Sequence, residues 1–301
     1  MTVLITGGAG FIGSHLTDRL VREGKDVVVL DDFSSGKKSN IEEKVKWSPE
    51  SICNKDYLMN LFETYQFTDV FHLAAMSRVE PSINNSDITY EINVTGTKNV
   101  LDAAATTGAN VIYAGSSTYT EPYNTPYNFT KFLGEELVRF YSKRRKVQGA
   151  IARFANVYGP RQYESGPYST VIGIFERQLR EGQKLTVTGS GKQKRDFVHV
   201  YDIVNGLTLL NEKINEHYFV QNCNEVSFGY GENHRIEDIA VMFAGPNYEF
   251  IASRYGEMDE TLTDISKAAN WLEWEPQIKL EDYIIDFKES IRALKERENN
   301  G

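Results

Sequence analysis

Cysteine is scarce in this chain: Cys53 and Cys223 are the only two among 301 residues. They provide neither a disulfide framework nor metal-ligand spacing, so no metal site is expected and a reducing cytoplasm is the natural setting. Positive charge is short as well. Lys and Arg number 33 against 42 Asp and Glu, for a formal net charge of −9 and a pI near 5.2. Nucleic acid or an anionic membrane would need a concentrated basic face, and none is visible. A small anion held by a few local arginines is compatible with this balance. No apolar run approaches bilayer-spanning length, and the chain opens almost directly into a strand-like run, leaving no room for a signal peptide. Repeats and low-complexity linkers are missing too. The remainder is ordinary globular composition, 41% hydrophobic and 25% charged, enough for one large core or two small ones. A soluble cytoplasmic protein is expected.

Short apolar runs alternate with amphipathic stretches. VLIT precedes FIGSHLTDRLVREG; VVVLDD precedes NKDYLMNLFETY; DVFHLAA precedes YEINVTGTKNVLDAAATTG; NVIYAGS precedes NFTKFLGEELVRFYSKR. β-rich runs separated by helix-length segments predict parallel strands with helices on both faces, a doubly wound α/β domain. After ARFANVYGP the rhythm loosens, which predicts a smaller α/β lobe. We place the first domain at residues 1–158, completed by about 194–222, and the smaller lobe at 159–301. The pair Trp271 and Trp274 reads as packing of that lobe. His15, His72 and His199 have no partner at metal spacing and read as structural.

Gly7, Gly10 and Gly13 stand three residues apart between the first strand and the first helix. Glycine there lets the backbone turn tightly and approach a pyrophosphate, while the helix N-terminus offers unpaired N–H groups. Asp31, at the end of the second apolar run, is placed to accept from both hydroxyls of an adenosine ribose. A carboxylate there repels a 2′-phosphate, so NAD is preferred over NADP. Asp32 is the competing register, and one of the two acids is a turn residue. Tyr127 and Lys131, four apart on a helix, point the same way about 6 Å apart. At an effective dielectric near 20 such charges interact by about 3 kcal/mol, enough to draw a phenol well below its usual pKa near 10 and make Tyr127 a general base.

The sequence TGGAGFIGSHL, with VFHLAAMSRVEPSI, YEINVTGTKNVLDAA, the Tyr127/Lys131 pair, ARFANVYGPRQ, GSGKQKRDFVHVYD and TDISKAANWLEWEP, resembles the extended short-chain dehydrogenase/reductases, NAD-dependent nucleotide-sugar epimerases and dehydratases, over nearly the whole chain. The resemblance implies a Rossmann domain with NAD bound by Gly7, Gly10, Phe11, Ile12, Gly13, Asp31, Asp32, Ser34, Leu73, Ala74, Ala75, Asn93, Tyr127 and Lys131. It implies catalysis by Ser116, Tyr127 and Lys131, with Ser117 as the alternative register for the serine. Substrate contacts are implied for Ser117, Thr118, Asn156 and Thr261, with Arg195 and Arg254 on the diphosphate of a UDP-sugar. It also implies a homodimer through a four-helix bundle.

Dehydratases that resemble this site carry an Asp-Glu pair where this chain has Ser117 and Thr118. Without it elimination of water is disfavoured, and reversible inversion at hexose C4 is the expected reaction. A dehydratase, a 4-keto reductase and a non-catalytic NAD-binding module are the alternatives. In 4-epimerases a small residue at the position of Thr261 admits an N-acetyl group at C2, which favours UDP-N-acetylglucosamine without excluding UDP-glucose. The stretch between Ser116 and Tyr127 is shorter than the family's. The cleft is therefore expected to be more open, or filled by Pro122 and Tyr123.

Overall fold

The structure is a computed structural model and describes residues 2–144, 147–216, 223–253, 256 and 258–299. Twelve strands appear in chain order among those residues. They are β1 (Thr2–Thr6), β2 (Asp26–Leu30), β3 (Lys46–Ser48), β4 (Asp69–His72), β5 (Asn110–Ser116), β6 (Gly149–Phe154), β7 (Asn156–Tyr158), β8 (Leu185–Thr188), β9 (Lys194–His199), β10 (Asn224–Phe228), β11 (Asn233–Arg235) and β12 (Tyr248–Ile251). The helices are α1 (Phe11–Arg22), α2 (Lys55–Tyr65), α3 (Val79–Asn84), α4 (Ser86–Tyr90), α5 (Thr97–Thr107), α6 (Pro126–Arg144), α7 (Val171–Arg180), α8 (Val200–Glu216), α9 (Ile236–Ala244), α10 (Ser266–Leu272) and α11 (Leu280–Asn299).

Seven strands form one sheet in the order β10-β6-β5-β4-β1-β2-β3, and every pairing in it is parallel. The apolar runs are continuous because both faces are covered. Val3 and Ile5 face a core shared with α1, α8 and α10, whereas Leu4 faces a core shared with α2, α5 and α6. Strand order reverses between β1 and β4, so a crevice opens at their carboxyl ends, where ligands of such sheets bind.

The smaller lobe has its own core, in which Phe175 of α7, Leu185 and Val187 of β8, Phe243 of α9 and Ile284 of α11 are buried together. A three-stranded sheet, β11-β9-β7, joins it to the main domain. Two expectations need correction here. The main sheet takes its outer strand from Asn224–Phe228, beyond residue 222. Trp274 belongs to the main core and not to the small lobe: its ring meets Phe228 edge-on at 5.0 Å, and its indole N–H donates to the Asp202 carbonyl at 2.9 Å. Helical spacing identified a buried tryptophan but not the surface that buries it.

The histidines are committed to the scaffold. His72 bridges Thr6 and Thr97 at 2.7 and 2.9 Å, and burial drives its pKa down to about 3. His15 contacts the Pro160 carbonyl at 2.7 Å, and His199 accepts from the Tyr201 N–H at 3.2 Å.

Candidate active site

A cleft of about 580 Å³ opens at the carboxyl ends of the main strands. Its nucleotide end is the turn between β1 and α1. Gly7 has φ +72°, and a Cβ there would stand 2.7 Å from the Ala74 nitrogen. At Gly13 a Cβ would lie 2.2 Å from the Gly7 carbonyl oxygen. The two glycines are therefore required by packing, and they leave the face of the turn beside Gly10, Phe11 and Ile12 open to the cleft. That open backbone cradle fits a dinucleotide pyrophosphate.

Asp31 and Asp32 separate clearly. The buried Asp31 carboxylate accepts from the Ala9 and Phe33 N–H groups, each at 2.9 Å, which fixes it beside the glycine turn. Burial raises its pKa, opposed by those two amides. Asp32 instead accepts from the Ser34 N–H at 2.9 Å and the Ser34 hydroxyl at 2.6 Å, the hydrogen bonding of a turn acid. Ser34, Leu73, Ala74 and Ala75 also line the cleft. Asn93 does not, contrary to the sequence expectation. Its amide is buried and spent on the Met76 N–H, the Met76 carbonyl and the Thr130 hydroxyl, at 2.8, 3.1 and 3.0 Å. It anchors the loop that carries Leu73 to Met76.

The centre of the cleft is built where β5 ends and α6 begins. Tyr127 donates from its phenol to the Ser116 hydroxyl at 3.3 Å, and Ser116 also contacts the Thr118 hydroxyl at 2.9 Å. Ser116, and not Ser117, is thus the serine paired with the tyrosine. Lys131 donates to the Ala114 carbonyl, and its ammonium lies 4.1 Å from the centre of the Tyr113 ring. Sequence reasoning expected this lysine to depress the phenol. In the structure the balance runs the other way. Burial pushes Tyr127 above its ordinary value, against the Ser116 hydrogen bond and the positive charge of Arg78. Lys131 is itself drawn down to about 7 by burial, with Glu135 opposing. The spacing argument counted the attraction and omitted the desolvation of both groups.

Arg78 carried no assignment in the sequence reading, although it lies in the AAMSRVEPS stretch. It lines the cleft and donates through Nε to the Tyr168 carbonyl at 3.1 Å. Ser51 and Ile52 at the nucleotide end and Tyr163, Tyr168 and Thr170 on the opposite wall are further lining residues without a sequence assignment.

At the sugar end, Asn156, Arg195, Ser117, Thr118 and Thr261 all line the cleft. Asn156 donates to the Asp196 carbonyl at 3.0 Å, and Arg195 donates to the Lys194 carbonyl at 2.8 Å. Arg254 lies outside the described residues. Tyr123 is 80% exposed and packs on Phe129 and Phe132 of α6, 5.9 and 6.3 Å away. Neither it nor Pro122 lines the cleft, so these residues do not replace the shortened loop. Gly256 comes over this edge instead: a Cβ on it would lie 2.9 Å from a Thr125 methyl and 3.4 Å from a Val79 methyl.

A family model described as the NAD dependent epimerase/dehydratase family matches residues 3–220. The chain belongs to that family. A candidate UDP-glucose 4-epimerase of Methanocaldococcus jannaschii is 35% identical over 308 residues, covering 94% of this chain and 95% of that one. A UDP-N-acetyl-alpha-D-glucosaminuronate decarboxylase of Bacillus cytotoxicus is 31% identical over 333 residues, covering 99% and 98%. The solved UDP-glucose 4-epimerase of Thermotoga maritima, holding UDP-glucose, superposes with a TM-score of 0.89 at 28% identity, over 98% of this chain and 99% of that one. The family is NAD-dependent, and its members here include both epimerases and UDP-sugar decarboxylases.

Proposed function

We propose that this protein is an NAD-dependent UDP-hexose 4-epimerase. The observation that carries the reading is the Tyr127 and Ser116 pair, 3.3 Å apart, followed by Ser117 and Thr118 where a dehydratase would need an acid and a base. NAD, when bound, would supply reversible hydride acceptance at C4 of the sugar, with no net redox. Tyr127, as phenolate, accepts the proton of the 4-hydroxyl, and Ser116 donates a hydrogen bond to the same oxygen. Lys131 and Asp31 would hold the two riboses of the cofactor. Arg195 and Arg254 grip the diphosphate, whose oxygens match the guanidinium fork. Held only there, the sugar would be free to present either face of C4. A homodimer through α5 and α6 completes the reading, supported by the exposed Phe140 on α6.

The C2 substituent is read from Thr261. It borders both the main cleft and a side pocket of about 140 Å³ that also reaches Ser117 and Met258. Its side chain is small and leaves the passage between the cleft and the side pocket open to a group the size of an N-acetyl. The preferred substrate is therefore UDP-N-acetylglucosamine, with UDP-glucose also accepted.

A second reading, decarboxylation of a UDP-uronic acid, is supported by the Bacillus cytotoxicus relative. The deciding experiment incubates the purified protein, without added reductant, with UDP-N-acetylglucosamine, UDP-glucose or UDP-glucuronic acid, followed by proton NMR. The galacto epimer from either hexose is the expected result. A pentose product from UDP-glucuronic acid, with both hexoses unchanged, would overturn it in favour of the decarboxylase.

A further inference from the structure

The segment 161–170 is a strap from the small lobe that crosses the cofactor end of the cleft, and it is tied to the main domain on both sides of the glycine turn. On one side Arg161 pairs with Asp18 of α1 at 2.8 Å. On the other, the Tyr168 carbonyl accepts from Arg78 at 3.1 Å and the Tyr168 hydroxyl meets the Met76 sulfur at 2.9 Å. Between these ties sits Tyr163. Its carbonyl accepts from the Thr170 N–H at 3.0 Å, and its ring packs against Tyr168 with centroids 6.0 Å apart. With backbone and ring fixed, the phenol has one direction in which to point. A Cβ built on Gly10 would lie 3.7 Å from the Tyr163 hydroxyl oxygen, and both residues line the cleft. Among the described residues no hydrogen bond engages that hydroxyl.

We propose that Tyr163 is a cofactor-binding residue whose phenol, standing beside the glycine turn, donates a hydrogen bond to the pyrophosphate of NAD next to the turn's own N–H groups. The turn offers backbone N–H groups to the diphosphate. The adjoining phenol supplies a charge-assisted donor without adding a counter-charge. The strap thereby becomes a clasp: a cofactor bound to both the turn and Tyr163 is released only when both let go. This inference depends on NAD as the cofactor and not on which sugar reaction is catalysed.

The test is Tyr163→Phe in the full chain stripped of cofactor, with binding of NAD, ADP-ribose and adenosine measured by calorimetry. Loss of one hydrogen bond to a charged acceptor weakens binding by about tenfold. NAD and ADP-ribose should weaken together by that factor, while adenosine, which lacks the pyrophosphate, binds as in the parent. Unchanged affinity for ADP-ribose would overturn the proposal. So would an equal loss for adenosine, since that marks a general loosening of the site. Failure of the parent chain to bind NAD at all would refute the cofactor reading itself, a separate outcome. Release of prebound NAD, followed by chase with excess ADP-ribose, should be faster in the variant, and an unchanged release rate counts against the clasp.

Discussion

The phenol oxygen of Tyr127 stands 3.3 Å from the hydroxyl oxygen of Ser116, so that one sugar oxygen can contact both. On the proposed reading the tyrosine moves the proton and the serine steadies the oxygen. Tyr127→Phe should lower turnover by about a thousandfold, the usual scale of a lost general base. Ser116→Ala should cost about tenfold to a hundredfold in kcat with KM little changed, because its hydrogen bond matters most as charge develops. Steady-state kinetics on UDP-glucose reads both, and near-parent activity in Tyr127→Phe would remove the tyrosine from the mechanism.

Arg78 is one of the groups that pull the Tyr127 phenol down, against the burial that raises it. The base must be deprotonated to act. Arg78→Met takes away a stabilising cation, so the phenolate should form only at higher pH. The acid limb of the kcat/KM profile should therefore move up in pH, with activity at neutral pH falling and partly recovering in alkali. A limb that stays in place would show that Arg78 serves only the Tyr168 strap.

Asp31 is tied to the glycine turn, whereas Asp32 is tied to Ser34. Asp31→Asn should weaken NAD by about tenfold or more and narrow the preference over NADP, since the carboxylate that repels a 2′-phosphate is gone. Asp32→Asn should change both affinities by less than about threefold. Cofactor titrations of the two variants give the comparison, and equal effects would argue against the assignment to Asp31.

Glu176 on α7 is buried between Tyr283 and Gln162, at 2.6 and 2.9 Å. Burial raises its pKa from 4.5 to about 7. An acid whose folded pKa lies above its unfolded value contributes full stability below about 4.5, and loses it as pH rises through about 7. The loss amounts to about 3 kcal/mol. Urea unfolding between pH 5 and 8 should show this decline in the parent chain and a flatter profile in Glu176→Gln.

Thr261→Tyr should fill the passage to the side pocket. Turnover of UDP-N-acetylglucosamine should drop by at least about tenfold while UDP-glucose is largely spared. Parallel losses on both sugars would detach Thr261 from selection at C2.

The parts legible in the sequence were local. A glycine every third residue between a strand and a helix, a serine at a strand end, and a tyrosine four residues before a lysine each state their geometry within a few positions. Which of Asp31 and Asp32 is held beside the glycine turn depended on which carboxylate meets the Ala9 amide, a contact 22 residues away. Arg78 and Tyr163 were silent because they act from irregular loops, where no periodicity marks a direction. Asn93 was legible as a family position, but its amide proved to be an anchor for Met76. The acid–base balance at Tyr127 could not be read at all, because desolvation is a property of the assembled pocket and leaves no pattern in the sequence.

The burial of Trp274 against Phe228 has a consequence for how such a protein can be recombined. The family match ends at residue 220, yet the chain returns some fifty residues later to plug the first domain's core. A chimera cut at the motif boundary, with a foreign lobe attached, would lose the outer strand β10 with Phe228 as well as Trp274, and would leave the α8 surface without its lid. Exchange of substrate specificity between such enzymes must then proceed through the loops that face the cleft, with the returning tail inherited together with the domain it seals.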